Sequence, residues 1–149
     1  MARPPSSGHS AAAIVAGIAG HPVTASLSPL LHSAWIAALG LDAAYVPFRV
    51  QPDGFERFAR GLRGGAVRGI NVTAPFKEAA LAIADETDDK ARASGSSNLL
   101  IFHEDGLIEG RSTDGLGMLA AFAEQAPGLD LNARPAVVLG AGGAARAAV

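Results

Sequence analysis

Short apolar, β-branched runs alternate along this chain with segments whose apolar residues recur every three or four positions. Ala13–Gly20, Tyr45–Val50 and Gly69–Thr73 are runs of this kind and predict strands, with helices expected between them. Strands that alternate with helices of about ten residues are typical of an α/β fold with a mainly parallel sheet. This alternation restricts the fold more than any other feature of the sequence.

Helix-boundary residues indicate where the helices begin and end. Ser28 precedes Pro29, the order typical of an N-cap followed by the first helical residue, and Gly40 follows Leu39 at the position expected of a C-terminal glycine. Trp35 lies on this helix at a spacing expected of a core contact. The other predicted helices are Asp53–Leu62, Phe76–Ala84 and Asp114–Gln125.

A hairpin is predicted in the second half of the chain. Asn98–Phe102 and Leu107–Glu109 have strand character and flank Glu104-Asp105-Gly106, a sequence typical of a tight turn. Because hairpin strands are antiparallel, the predicted sheet is mixed.

The composition excludes several functional classes. Hydrophobic residues make up 49% of the 149 residues and charged residues 17%, which is typical of a globular chain. The net charge of −2, without a basic stripe, argues against nucleic acid as a partner. With no cysteine, disulfides and thiolate metal sites are excluded. The four histidines lack metal-ligand spacing, so we expect no metal; they are His9, His21, His32 and His103.

The longest early apolar stretch, Ala11–Gly20, is about half as long as a bilayer span. His21-Pro22 follows it where a signal peptide would have a small-residue cleavage site. We therefore expect neither a membrane segment nor a leader, and a cytoplasmic protein.

A glycine-rich turn near the C-terminus predicts a nucleotide site. Ala136–Leu139 predicts a strand that enters Gly-x-Gly-x-x-Ala and then a helix, the context of a dinucleotide-binding βαβ unit. Gly140 permits the tight turn, Gly142 lets the backbone approach a pyrophosphate, and Ala145 allows close contact between helix and strand. An ordinary glycine-rich turn is the alternative. The residues expected to bind the cofactor here are Gly140, Ala141, Gly142, Gly143 and Ala144.

Two serines precede the first predicted helix. Ser26 and Ser28, at positions i and i+2, can both point into one cleft and donate hydrogen bonds to a carboxylate. A plain N-cap with a neighbouring turn serine is the alternative interpretation.

A second polar cluster follows the third predicted strand. Asn71, Thr73 and Lys77 fall at its C-terminal end, where open α/β sheets bind ligands. A lysine in a cleft can serve as a general acid or base. The alternative is a solvated Lys77 paired with Glu78 or Glu86.

Asp114 begins the last long helix and has two interpretations. As an N-cap it would be purely structural. Its carboxylate could equally reach a substrate hydroxyl, or Lys77, and hold that ammonium in place.

These motifs, taken in order, closely resemble the shikimate dehydrogenase family from Ile14 to Val149. They are SxSPxxH at Ser26–His32, NVTxPFK at Asn71–Lys77, the Asn of GSSN, TDG at Thr113–Gly115 and GAGGAxR at Gly140–Arg146. The resemblance implies reversible, NADPH-dependent reduction of 3-dehydroshikimate to shikimate, in aromatic amino acid (chorismate) biosynthesis.

The resemblance also implies residue roles. Lys77 would transfer the proton beside Asp114, and Asp89 aligns with an acidic position at the cofactor side. The substrate carboxylate would be bound by Ser26 and Ser28, and the ring hydroxyls by Thr73, Asn98 and Asp114.

Two departures from the family pattern bear on the substrate. Leu99 and Ser112 stand where the family usually has Thr and Asn. They leave shikimate, quinate or an amino analogue open as the substrate. A methylenetetrahydrofolate dehydrogenase-like enzyme is disfavoured by the two serines and by the TDG motif. A non-catalytic ligand sensor would be expected to lack Lys77 or Asp114.

The predicted organisation has four parts: a disordered tail at 1–12, a shikimate-binding domain at 13–113, a connecting helix and loop at 114–134, and an incomplete Rossmann-type dinucleotide-binding domain at 135–149. The sequence stops before the helix after the glycine turn is complete, so we expect a truncated chain, inactive alone. NADP and a small-molecule substrate are the implied partners, and a homodimer is compatible with the sequence.

Overall fold

In a computed structural model of the chain, the described residues are 8–131, 133 and 135–149. Residues 1–7 of the predicted tail lie outside them. At the described end of that tail, the Ser10 hydroxyl and backbone N–H both donate to the Asp42 carboxylate, the hydroxyl at 2.5 Å.

A mixed six-stranded sheet forms the centre of the described part of the chain, in the order β2-β1-β3-β5-β6-β4. The parallel part joins β1 to β2 and to β3, whereas β5 pairs antiparallel with β3 and β6. The α/β fold with a mixed sheet is confirmed. The strands are β1 Ile14–Gly20, β2 Ala43–Arg49, β3 Val67–Val72, β4 Glu86–Thr87, β5 Leu99–Phe102 and β6 Ile108–Arg111.

Helices connect these strands and follow them. A 3-10 turn over Pro52–Gly54 precedes the second helix, so the helix predicted from Asp53 begins two residues later. The helices are α1 Ser28–Leu39, α2 Phe55–Arg60, α3 Lys77–Ile83, α4 Asp89–Ser94, α5 Asp114–Gln125 and α6 Gly143–Arg146.

The main core lies between the sheet and helices α2 and α3. Phe55 of α2 stacks on Phe76, just before α3, with ring centroids 4.6 Å apart. Ile70, Leu100 and Ile108 of neighbouring strands are buried in the same cluster. Each such side chain contributes roughly 1.5–3 kcal/mol by leaving water, and together they hold the strand ends that carry the polar residues.

Helix α1 differs from its prediction in two ways. Leu27 occupies the N-cap position, and the Ser28 side chain makes no capping hydrogen bond. Trp35 is 56% exposed, so the predicted core contact is wrong. Because α1 is apolar on nearly all sides, side-chain spacing could not identify the face that packs on β1 and β2.

The predicted strand Ala136–Leu139 is also wrong. Residues 135–140 form no strand, and Val137 and Leu139 are exposed. A strand is defined by hydrogen bonds to a neighbour, and no described strand lies beside this segment. The glycine turn nevertheless forms, with Gly140 at φ +123°, and α6 follows it.

Helix α4 was not predicted from the sequence. Asp88 caps it by accepting a hydrogen bond from the Ala91 N–H at 2.7 Å, and Gly95 ends it in the left-handed region at φ +61°. An Asp and a Gly seven positions apart are a boundary signal of a short helix that could have been recognised.

Among the described residues no helix combines the length and apolar character needed to cross a membrane. The same residues contain no group of three or more His, Cys, Asp or Glu side chains arranged to hold a metal ion.

Candidate active site

Lys77 and Asp114 form an ion pair at the start of two different helices. The Lys77 ammonium donates to the Asp114 Oδ2 at 2.5 Å, as expected from the sequence. The side chains are 19% and 22% exposed, so both are shielded but reachable. The alternative pairing of Lys77 with Glu78 is wrong, because Glu78 binds Arg146. The structural interpretation of Asp114 is wrong as well, since Thr113 occupies the N-cap position.

Asn98 holds the same carboxylate from its other side. Its Nδ2 donates to the Asp114 Oδ1 at 2.8 Å, while its Oδ1 accepts from the Thr113 N–H at 3.0 Å. Both Asp114 oxygens are therefore engaged, one by Lys77 and one by Asn98. The departures at Leu99 and Ser112 leave these hydrogen bonds intact.

The topology explains why the cluster lies at this edge of the sheet. Adjacent parallel strands β1 and β3 have their C-terminal ends together, with Ala19 beside Val72. The serines follow β1, and Thr73 and Lys77 follow β3. Open α/β sheets bind ligands outside such strand ends. Gly20 is required here, because a Cβ at this position would lie 2.4 Å from the Thr73 methyl carbon.

The two predicted serines are half-buried at the start of α1. The Ser26 Oγ accepts from the Ser28 N–H at 3.2 Å, which leaves the Ser26 hydroxyl proton free to donate. No described contact joins these serines directly to the Lys77–Asp114 pair. A third residue links them to the end of β3.

That residue is Tyr45, which belongs to none of the sequence motifs. Its hydroxyl donates to the Asn71 Oδ1 at 2.7 Å. Burial raises the pKa of Tyr45 to about 12, and a hydrogen bond with the Ser28 side chain acts in the opposite direction. Its position as the chain's one tyrosine, on a strand beside β1, was the available signal.

The glycine turn packs against the start of α3. A Cβ at Gly143 would lie 2.6 Å from the Ser96 Cβ and 3.5 Å from the Lys77 Cβ, so glycine permits this close approach. Arg146 reinforces it by donating to the Ser94 carbonyl at 2.7 Å and the Glu78 carboxylate at 2.6 Å. The predicted cofactor turn thus lies beside the predicted proton donor.

Asp89 is not brought to this cluster by any described contact. Its carboxylate is 96% exposed in the first turn of α4 and pairs with Arg92. Its cofactor-side role stays a prediction.

Fold and site together define an α/β domain with a lysine–aspartate pair at its parallel strand ends and a dinucleotide-type glycine turn packed beside it. The family model described as the shikimate dehydrogenase substrate binding domain matches residues 18–100. The chain belongs to this family, and the resemblance drawn from the motifs is confirmed.

Individual relatives agree with this family. A shikimate dehydrogenase (NADP(+)) of Caulobacter vibrioides (strain NA1000 / CB15N) is 62% identical over 138 residues, which are 93% of this chain and 48% of the relative. The crystal structure of shikimate 5-dehydrogenase from Thermus thermophilus in complex with shikimate is 38% identical, with a TM-score of 0.80, over 90% of this chain and 50% of that one.

A crystal structure of a shikimate dehydrogenase in complex with NADP+ is 36% identical, with a TM-score of 0.87, over 98% of this chain and 50% of that one. The chain therefore spans about half the length of the relatives it matches.

Proposed function

We propose that this chain forms the substrate-binding half of an NADP-dependent shikimate dehydrogenase, an oxidoreductase that reversibly reduces 3-dehydroshikimate to shikimate. The observation that carries the proposal is the shielded Lys77–Asp114 pair, which Asn98 orients at the ligand-binding edge of the sheet. The names of the Caulobacter and Thermus relatives support the same reaction and substrate.

Lys77 supplies the proton in this proposal. NADPH, when bound, provides the hydride that adds to the ring carbonyl carbon, and the carbonyl oxygen then needs a proton. The Lys77 ammonium donates that proton and takes it back in the reverse reaction, while Asp114 fixes the direction of the Nζ–H bonds. The shielding of both side chains limits competition from water.

Substrate binding is divided between the two strand ends. Ser26 and Ser28 would donate to the carboxylate, and Thr73 would bind a ring hydroxyl. Asn98 already uses its Nδ2 on Thr113 and Asp114, at 2.9 Å and 2.8 Å. It therefore serves chiefly to orient Asp114, and a ring hydroxyl reaching Asn98 would exchange with the Thr113 hydroxyl.

The residues present fit a dinucleotide at the glycine turn. Gly142 has open space where a Cβ would lie, which leaves room for a phosphate against the backbone. The N–H groups of the first turn of α6 have no intrahelical acceptor. Residues Gly140 to Ala144 would hold the pyrophosphate, and Asp89 would lie at the cofactor side. The name of the Caulobacter relative favours NADP.

Quinate and an amino analogue of shikimate are the alternative substrates, and a ligand sensor is the alternative class. The intact Lys77–Asp114 pair favours an enzyme, since a sensor has no use for a proton donor. We further propose that the protein acts in the cytoplasm on a small-molecule substrate, and that it forms a homodimer.

A chimera tests the enzyme proposal. In it, residues 1–149 are joined to the half of the Caulobacter relative that follows the aligned region. Loss of reduced-nicotinamide absorbance with 3-dehydroshikimate is the expected result, and the Lys77→Ala chimera is the matched control. Turnover with quinate alone would reassign the substrate. Tight shikimate binding without turnover would favour the sensor.

A further inference from the structure

Tyr45 lies at the centre of a small polar assembly beneath the start of α1. The side chain is almost wholly buried, at 7% exposure, and its hydroxyl donates to the Asn71 Oδ1 at 2.7 Å. A buried phenol with a short hydrogen bond is held in one orientation, because rotating it would leave two polar atoms unpaired. The proton-transfer chemistry above makes no use of this residue.

His32 holds the tyrosine ring from its flat side. The two rings are stacked, with centroids 3.9 Å apart and planes inclined by 11°. His32 Nδ1 lies 2.9 Å from the Ser28 carbonyl oxygen. A carbonyl can only accept, so Nδ1 carries the proton and the imidazole is fixed in tautomer and orientation. The histidine of the SxSPxxH motif thereby ties Tyr45 to the backbone at Ser28.

The hydrogen bond of the Tyr45 hydroxyl sets the direction of the Asn71 side chain. Its single proton goes to the Asn71 Oδ1, at 2.7 Å. The Asn71 Nδ2 then points away from Tyr45, because the oxygen and nitrogen of a carboxamide lie on opposite sides. This Nδ2 has no acceptor among the described residues and is free to donate to a ligand.

We propose that Tyr45, held by His32, is a positioning residue that keeps the Asn71 side-chain amide oriented as a hydrogen-bond donor for the carboxylate of the ligand. Replacing the hydroxyl would leave the Asn71 oxygen unpaired and allow its amide to turn over. The inference rests on the proposed function, because it assumes that a carboxylate binds at the serines. It assigns carboxylate selectivity to a residue that does not itself contact the ligand.

The test compares Tyr45→Phe with wild type in the 149-residue chain. Phenylalanine retains the buried ring and its stacking on His32 and removes only the hydroxyl. Each protein is titrated with shikimate and with its methyl ester, which has the same ring but no negative charge. We expect Tyr45→Phe to weaken shikimate binding about tenfold and ester binding less than twofold. Ser33→Ala, which removes an exposed hydroxyl from α1, is the matched control and should change neither.

Loss of affinity for both ligands in equal measure, or for neither, would overturn the inference, because a purely structural role would not distinguish them. A second readout needs no ligand: the side-chain amide signals of Asn71 in nitrogen-15 NMR spectra should shift in Tyr45→Phe and stay unchanged in Ser33→Ala. Unchanged Asn71 signals in Tyr45→Phe would overturn the inference as well. Wild type that binds neither ligand would contradict the proposed function, and the Asn71 signals would still decide the role of Tyr45.

Discussion

The Lys77 ammonium and the Asp114 carboxylate lie 2.5 Å apart, although 37 positions separate them in the sequence. Each is the first residue of its helix, α3 or α5, so each side chain projects from a helix start beside the sheet. Asn98 completes the arrangement by binding the second carboxylate oxygen. The candidate chemistry depends on this junction of two helix starts and one strand start.

Replacing Lys77 by alanine in the chimera should reduce kcat about 10²–10⁴-fold, the usual contribution of a general acid–base group. KM should change little, because the substrate is held mainly by other residues. Steady-state kinetics with 3-dehydroshikimate and NADPH would measure both constants. Lys90→Ala, which removes an exposed lysine from α4, is a control for loss of charge alone. A near-normal kcat for Lys77→Ala would show that Lys77 is an ordinary surface lysine with no role in proton transfer.

Replacing Ser26 by alanine should have the opposite effect on the kinetic constants. A carboxylate remote from the reacting carbon is held equally in the ground state and the transition state. Loss of the Ser26 hydrogen bond to it should therefore raise KM more than it lowers kcat. One hydrogen bond to a charged group is worth about 1.5–3 kcal/mol, which corresponds to a rise in KM of roughly 10- to 150-fold. A fall in kcat with unchanged KM would show that Ser26 acts in the chemical step.

The Tyr45 phenol should stay protonated at pH 10, where an exposed tyrosine is half ionised. Burial raises its pKa from 10.0 to about 12, because the charged phenolate is disfavoured away from water. Tyr45 is the chain's single tyrosine, so phenolate absorbance reports on it alone. The same titration in concentrated urea should show the ordinary pKa. Equal titration curves in the two solvents would contradict the burial of this ring.

The raised pKa also predicts how stability changes with pH. The unfolded chain loses this proton near pH 10 and the folded chain near pH 12, so the contribution is complete below pH 10 and is lost as the pH rises towards 12. Urea unfolding at a series of pH values from 9 to about 12 would measure it. In Tyr45→Phe this part of the pH dependence should disappear.

The 149-residue chain alone should bind shikimate weakly and show no dehydrogenase activity. The proposed substrate groups lie between Ser26 and Asp114, within the folded sheet, whereas the segment before Gly140 is unpaired and exposed. Its apolar residues Val137 to Leu139 should also favour self-association. Titration with shikimate, nicotinamide absorbance and analytical ultracentrifugation would check the three expectations. Turnover above that of a Lys77→Ala control would show that residues 1–149 already contain all the groups needed for catalysis.

The sequence by itself determined the class of fold and most members of the site. Alternating apolar runs predicted β1, β2 and β3, since period-2 and period-3.6 patterns follow directly from backbone geometry. Lys77 and Asp114 were predicted to meet because each follows or precedes a strand end on the same edge. Strand patterns and the residues at strand ends can be predicted in this way because they depend only on residues close together in the sequence.

Only the tertiary structure decided which segments and side chains found a neighbouring strand or side chain to contact. Residues 136–139 have a strand's composition but form none, because a strand needs hydrogen bonds from a neighbour. Trp35 is exposed because an all-round apolar helix does not specify its buried face. Tyr45 became part of the site only through its contacts with Asn71 and His32, which lie 26 and 13 positions away. Spacing along the chain carries no information about such contacts, since they depend on how strands and helices pack in three dimensions.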